Sequence, residues 1–564
     1  MARITSLHEL AQGVVKDLTS DEINSLRFDA DIEKQIRGTL LQSAKLLRQG
    51  RREMALTVLL GAQSRLGFLP TVLISGIIEL CCTMGMEQRA ALECLAFAHD
   101  SMNMGYCDLA LESCSAALIL DGMSSFEIIR NPASLRRISG WYETVACGLE
   151  SSVLPAKTAV RRASPRIGLM VPNVVDDTVA NTKTLLHLVR HMDKTRCNIN
   201  VYVTENLSHR ESPLFPYGCR EGTSEHRGST SLKAIRDCGA SVHIAGRHGS
   251  FSQSALSLAQ RIACDQLDVL IVQSGLACPI DWLATRLAPI PVKMTIHNGT
   301  SLYMPGMDVN FYDNPFNLDR ESGSWDPSFG QRVVLAQGTD IEWIRAQPAL
   351  PRSRFGIPQE ALVVGTLSNH LDERLSKGYM ELIADVLEIE RDAWFVAFGN
   401  GRMSAAADYF ASRGVSGRVR FGGGQINAGS ALKILDIYAN EFPVGGSQSV
   451  VEAMACGIPV VALRWSDAHA ESAGFNAVGA PYGIIGRDVG EFRQRLLSWI
   501  RNTAERNEVA VAMSRRAQDH FSVRNYARTL QEVGTDTAKR KMRESGDKPA
   551  DAPFRGVLAS MELE

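Results

Sequence analysis

The apolar positions change rhythm once along this chain, near residue 165. Before that point apolar residues recur at three- and four-residue spacing, with Gly or Pro between segments. That is the signature of amphipathic helices, and residues 1–153 are expected to be all-α. A linker at 154–165 carries two prolines and a basic pair. Strand-like runs then alternate with helical ones: strands at 167–175, 198–205, 241–246, 268–275 and 292–299, with helices at 182–191 and 253–264. A second series follows, with strands at 361–368, 393–400, 418–424, 435–440 and 458–464. Such alternation implies parallel sheets covered on both faces. The fold class is therefore α/β, two Rossmann-like domains at 166–340 and 341–534 facing a cleft, preceded by the helical domain. Ligands of such sheets bind outside the C-terminal strand ends. Residues 535–564 are polar and charged and are expected to be a disordered tail.

A shared pattern links two segments of the helical region. Gly50, Ala55, Leu59, Ala62 and Gly67 have the same offsets as Gly105, Ala110, Cys114, Ala117 and Gly122. Small residues at these places resemble half of a tetratricopeptide repeat, where they let paired helices pack closely. The step from Gly50 to Gly105 is longer than the ~34 residues of that repeat, whereas Gly50 to Gly85 is close to it. A degenerate array of helical pairs and an unrelated bundle both fit.

Composition narrows the class. The 564 residues suffice for several packed domains, and 45% of them are hydrophobic. A formal net charge of −2, without a long basic stripe, argues against nucleic acid as the main partner. No uninterrupted apolar run reaches the ~18 residues of a membrane span, and MARITSLHELAQGVVKDL lacks the apolar core of a secretory signal. The 12 cysteines show no metal spacing. Cys81, Cys82, Cys94, Cys107 and Cys114 fall in apolar helical patterns and read as small core residues. A reduced, cytoplasmic protein without structural zinc is expected.

The chemistry concentrates at residues 436–463, DIYANEFPVGGSQSVVEAMACGIPVVAL. Gly445 and Gly446 permit a sharp bend and close approach to a ligand. Ser447, Gln448 and Ser449 then stand at a helix start expected near Val450, where unpaired N–H groups and the positive dipole end favour an anion. Glu452, one turn further in, is placed to hold ribose hydroxyls. Phosphate plus ribose points to a nucleotide. An ordinary strand-turn-helix connection with a serine cap is the plain alternative. Three further turns are expected at the same cleft. GTLSNHLDERLSKG (365–378) offers Arg374, His370 and Lys377, and a lysine there would neutralise a diphosphate leaving group. FGGGQ (421–425), ending in Gln425, suits close contact with a flat base. HNGTS (297–301) places His297, Gly299, Thr300 and Ser301 towards a sugar or phosphate.

These stretches, with RIGLMVPNV (166–174), 268–315 and FGIPQEALVVGTLS (355–368), resemble glycosyltransferase family 41 in order. That family contains O-GlcNAc transferases and bacterial adhesin N-glucosyltransferases. The likeness covers roughly residues 165–525, and the family also carries a helical or tetratricopeptide region ahead of its catalytic domains. The resemblance implies a GT-B fold, no required metal or cofactor, and inverting transfer from a UDP-sugar to a protein side chain. It puts Lys377 on the diphosphate, Ser447, Gln448 and Ser449 on the phosphates, and Glu452 on the ribose. Where O-GlcNAc transferases have a histidine after the first strand, this chain has Asp176, Asp177 and Thr178, so Asp176 or Asp177 is the candidate base. His297 would line the sugar pocket. The retaining signature of two glutamates with seven residues between them is missing, since Val444 occupies the first position counted back from Glu452. A protein acceptor such as flagellin or an adhesin before export fits the family, and the helical domain at 1–153 is expected to bind it, since stacked helical pairs leave a concave surface for a polypeptide. A GT-B epimerase and a catalytically silent scaffold are the alternatives, and the sequence leaves the sugar, acceptor atom and oligomeric state open.

Overall fold

The computed structural model describes residues 30–66, 71–122, 128, 131–153, 164–175, 180–205, 224–245, 251–273, 278–297, 306–312, 327–368, 371–425, 427–466 and 469–544. Six helices open the described chain: Ala30–Arg48, Arg52–Leu66, Thr71–Thr83, Glu87–Asn103, Cys107–Gly122 and Pro132–Leu149. Gly50, Gly85 and Gly105 each end a helix at φ of +72°, +70° and +80°. Each is followed by the same closing bond: Arg51 N to Leu46 O at 3.0 Å, Met86 N to Cys81 O at 2.8 Å, and Tyr106 N to Ser101 O at 2.9 Å. This is the 6→1 bond of a left-handed helix end, which favours glycine. The small residues of the shared pattern, Ala55, Ala62, Ala110, Cys114 and Ala117, are buried between helices. Cys81, Cys82 and Cys94 are buried too, and Cys107 is half-buried.

The first α/β half is a seven-stranded, all-parallel sheet in the order β3-β2-β1-β4-β5-β6-β7. Its strands are β1 Arg166–Val171, β2 Asn198–Val203, β3 Ser241–Ile244, β4 Val269–Val272, β5 Val292–His297, β6 Val309–Tyr312 and β7 Gln331–Val334. The second half is a five-stranded parallel sheet in the order β10-β9-β8-β11-β12. Here β8 is Leu362–Ser368, β9 Ala393–Gly399, β10 Val419–Gly423, β11 Ile437–Ala439 and β12 Val460–Val461. Strands covered on both faces read as apolar runs, which is why RIGLMV is buried from its second residue on. Strand order reverses between β1 and β4 in one sheet and between β8 and β11 in the other, and those switch points mark ligand crevices.

Two features of packing differ from separate beads on a string. The helical domain shares one continuous core with the first sheet's covering helices, Phe251–Asp265 and Pro279–Leu287. Tyr142 meets Trp282 edge-on at 5.1 Å, and Arg286 forks onto Glu143 and Glu150, each at 2.7 Å. The C-terminal helix, Val523–Glu544, leaves the second half and packs under the first sheet. There Tyr526, Ala527, Leu530 and Ala538 join the core of β1, β2, β4, β5 and β6. The expected disordered tail is thus corrected at its start. Residues 535–544 continue this helix, with Thr537 and Ala538 buried, because one small-residue face lies against Val269 while its charges point outward. Residues 545–564 lie outside the described residues. No described helix is long and apolar enough to cross a membrane.

Candidate functional site

β11 ends at Ala439, and Asn440 and Glu441 continue directly into the glycine turn. Neither Gly445 nor Gly446 has a positive φ. They are required for space instead. A Cβ on Gly445 would stand 2.3 Å from Asn440 Nδ2, and one on Gly446 2.3 Å from Ser449 Oγ and 3.3 Å from Arg374 Nη1. The turn is held from beneath: Gly446 N donates to Asn440 Oδ1 at 3.0 Å and to Glu441 Oε2 at 3.3 Å. Thr366 Oγ1, from β8, donates to Glu441 Oε1. Burial pushes the Glu441 carboxyl above its ordinary range, and Arg374 opposes that shift. A buried polar network with its members paired is a rigid support.

The helix that follows runs Gln448–Ala455, two residues earlier than expected, so Gln448 and Ser449 form its first turn. Ser447 stands at the N-cap without capping through its side chain. Gln448 Nε2 donates to Thr339 Oγ1 at 2.9 Å. Ser449 faces inward, its Oγ 2.9 Å from the Tyr438 hydroxyl. Glu452 is buried and pairs with Lys183, which comes from the first half: Nζ lies 2.6 Å from Oε1.

The 365–378 turn delivers its cations at the end of a one-turn helix, Leu371–Arg374, and at the start of a longer one, Lys377–Ile389. Ser376 caps the second, accepting from Tyr379 N at 3.2 Å while donating to Phe442 O at 2.6 Å, which ties this turn to the glycine turn. Arg374 therefore lies against Gly446, whereas Lys377 has its side chain 82% exposed with Nζ 3.8 Å from Glu381. At the exit of β10, a Cβ on Gly422 would collide with the Phe398 ring at 2.3 Å. Gln425 folds back there, donating to Gly422 O at 2.6 Å.

On the first half, β1 ends in a buried segment whose Val175 N donates to Thr182 Oγ1 at 3.0 Å. Asp176 and Asp177 lie outside the described residues, as do Gly299, Thr300, Ser301 and His370. His297 ends β5, with its side chain outside the described set. The structure therefore brings Arg374, Gly446, Ser447, Ser449 and Glu452 together, with Lys183 added from the first half. Asn440, Glu441 and Lys183 were not singled out from sequence. Among the described residues no group of three or more His, Cys, Asp or Glu side chains is gathered as for a metal.

Residues 359–502 match the sequence family described as glycosyl transferases group 1, and this segment contains the turn, the cations and Glu452. No curated protein matches the chain. Among solved structures the chain resembles a point mutant of the Thermobaculum terrenum O-GlcNAc transferase, with a TM-score of 0.55 and 15% identity over 92% of each chain. It also resembles a glycosyltransferase from Rickettsia africae ESF-5, with a TM-score of 0.51 and 13% identity over 67% of this chain and 100% of that one. The fold is GT-B. A third similar structure, HepE of Anabaena in complex with UDP and glucose, has a TM-score of 0.49 and 14% identity over 66% of this chain and 100% of that one. A GT-B pair of domains preceded by a helical domain is the architecture of this chain, and its second half carries a glycosyltransferase domain.

Proposed function

We propose that this protein transfers a hexose or N-acetylhexosamine from a UDP-sugar to a protein side chain, at Ser/Thr or Asn, with inversion at the anomeric carbon. The observation that carries the reading is the turn at the β8/β11 switch point. It brings a helix start, an arginine and a buried carboxylate close together past the C-terminal ends of β8 and β11. The diphosphate would rest on the N–H groups and hydroxyl at Ser447–Gln448, with Arg374 and Lys377 as counter-charges, and the ribose would hydrogen-bond Glu452. Gln425 and its glycines would border the base. As the anomeric bond breaks, negative charge grows on the β-phosphate, and fixed donors stabilise it. Each such donor contributes roughly 2.7–4 kcal/mol to the barrier in comparable sites. In this reading the charges of the chain itself serve the leaving group, so neither metal nor cofactor is needed.

Inversion requires one base near the acceptor. We assign it to Asp176 or Asp177, which follow the C-terminal end of β1, and His297, Gly299, Thr300 and Ser301 to the sugar pocket. Inversion is what the family 41 resemblance implies, and Val444 stands where the first glutamate of the retaining signature would be. The acceptor is proposed to be a protein met in the cytoplasm before export, such as flagellin or an adhesin, as the family 41 resemblance suggests. A UDP-sugar hydrolysis assay tests the phosphate assignment. Arg374→Ala, Lys377→Ala and Ser447→Ala should each slow turnover by roughly tenfold or more. Undiminished turnover in all three would remove the diphosphate from this turn.

A further inference from the structure

Glu452, in the helix that follows the glycine turn, has its charge balanced from the other half of the molecule. Its side chain is 2% exposed and that of Lys183 is 11% exposed, with Nζ 2.6 Å from Oε1. Lys183 occupies the first turn of the helix Ala180–His191, which begins just past the C-terminal end of β1. The rest of that helix face is turned the same way, onto the segment joining the two halves. Thr184 Oγ1 accepts from Gln337 Nε2 at 2.9 Å, His187 stands 5.5 Å from the Trp343 ring, and His191 Nε2 lies 2.9 Å from Asp340 Oδ2. The helix is thus fixed along its length, and Lys183 is delivered to Glu452 by a rigid element.

Both neighbours of the carboxylate, Lys183 at 2.6 Å and Gln448 Nε2 at 3.4 Å, are on Oε1. A carboxylate accepts at about four lone-pair positions, so acceptor capacity is left for hydroxyls. We propose that Lys183 is a positioning residue for the nucleotide: it clamps one oxygen of Glu452 so that the carboxylate presents its remaining acceptor positions to the ribose 2′- and 3′-hydroxyls. Because the clamp comes from the first half, recognition of the ribose requires the two halves to be together. This rests on the reading of Glu452 as the ribose ligand. An ion pair that merely held the halves together would alter stability without altering how the ribose is read.

The experiment is titration calorimetry of the full chain with UDP and with 2′,3′-dideoxy-UDP, for wild type, Glu452→Gln, Lys183→Met and Lys183→Arg. Wild type should prefer UDP by about tenfold, the scale of hydrogen bonds to a charged group. Glu452→Gln and Lys183→Met should both reduce that preference to below about threefold while leaving dideoxy-UDP affinity within about threefold of wild type. Lys183→Arg should retain it. If Glu452→Gln erases the preference and Lys183→Met keeps it, the clamp is wrong and the ribose site stands. If Glu452→Gln keeps the preference, or wild type binds neither nucleotide, the ribose assignment fails and the clamp falls with it. Should Lys183→Met not fold, Lys183→Gln replaces it and the same ratio decides.

Discussion

Glu441 and Glu452 show how differently two carboxylates near one turn are used. Glu441 is an internal strut, joined to Thr366 and to the Gly446 amide. Removing a buried partner strands the others at about 1–3 kcal/mol. Glu441→Ala should therefore lower unfolding stability by about that amount and weaken UDP binding by loosening the Gly446 amide. Urea unfolding and calorimetry read both, and an unchanged midpoint with unchanged affinity would contradict the strut. The glycines, Ser447 and Glu452 were legible because their types and spacing are local. Lys183 was not, because its partner is 269 residues away and nothing local distinguishes it from an ordinary surface lysine. Glu441 was hidden similarly: its support, Thr366, is 75 residues distant. The roles of Gly445 and Gly446 also read differently in three dimensions, since close packing rather than backbone freedom selects them.

Among the elements, the helix Ala180–His191 carries the clearest pH dependence. Burial lowers His187 from 6.5 to about 4, an effect Asp340 partly opposes. Burial alone would raise Asp340, yet hydrogen bonds from His191 and Trp343 N bring it down to about 2. Both groups have folded values below their unfolded ones, so the unfolded chain binds more protons as pH falls. His187 then removes stability as pH drops from about 6.5 towards 4, and Asp340 removes more from about 3.8 towards 2. Thermal melts should show Tm falling between pH 6.5 and 4, and His187→Phe should flatten that slope. A slope equal to wild type would exclude His187 as its source. Most elements were legible from period alone, since buried parallel strands are apolar runs and the helical domain keeps a helical period. The end of the C-terminal helix, 535–544, escaped because only Thr537 and Ala538 are buried there among many charges, so composition resembled that of a disordered tail.

At the scale of the whole molecule, the helical domain is continuous with the catalytic body. Tyr142, Trp282, Phe251 and Leu258 lie in one core with the buried residues of the opening helices. Cutting away residues 1–153 would take Tyr142 from the Trp282 ring and both carboxylates, Glu143 and Glu150, from Arg286, and would open the shared core. The truncated chain is therefore expected to lose its cooperative melt, rather than to separate acceptor capture from nucleotide binding. A truncated protein melting like the full chain would show the shared core to be dispensable. Periodicity placed these domains along the sequence, but it is blind to which faces meet, so the continuity of the core was not legible. The central claim is transfer of a sugar to protein, and mass spectrometry of proteins from cells with wild type or Arg374→Ala tests it most directly. The account predicts peptides carrying one added hexose or N-acetylhexosamine on Ser/Thr or Asn with wild type, and their loss with the variant. The same modified peptides in both, or none in either, would contradict it.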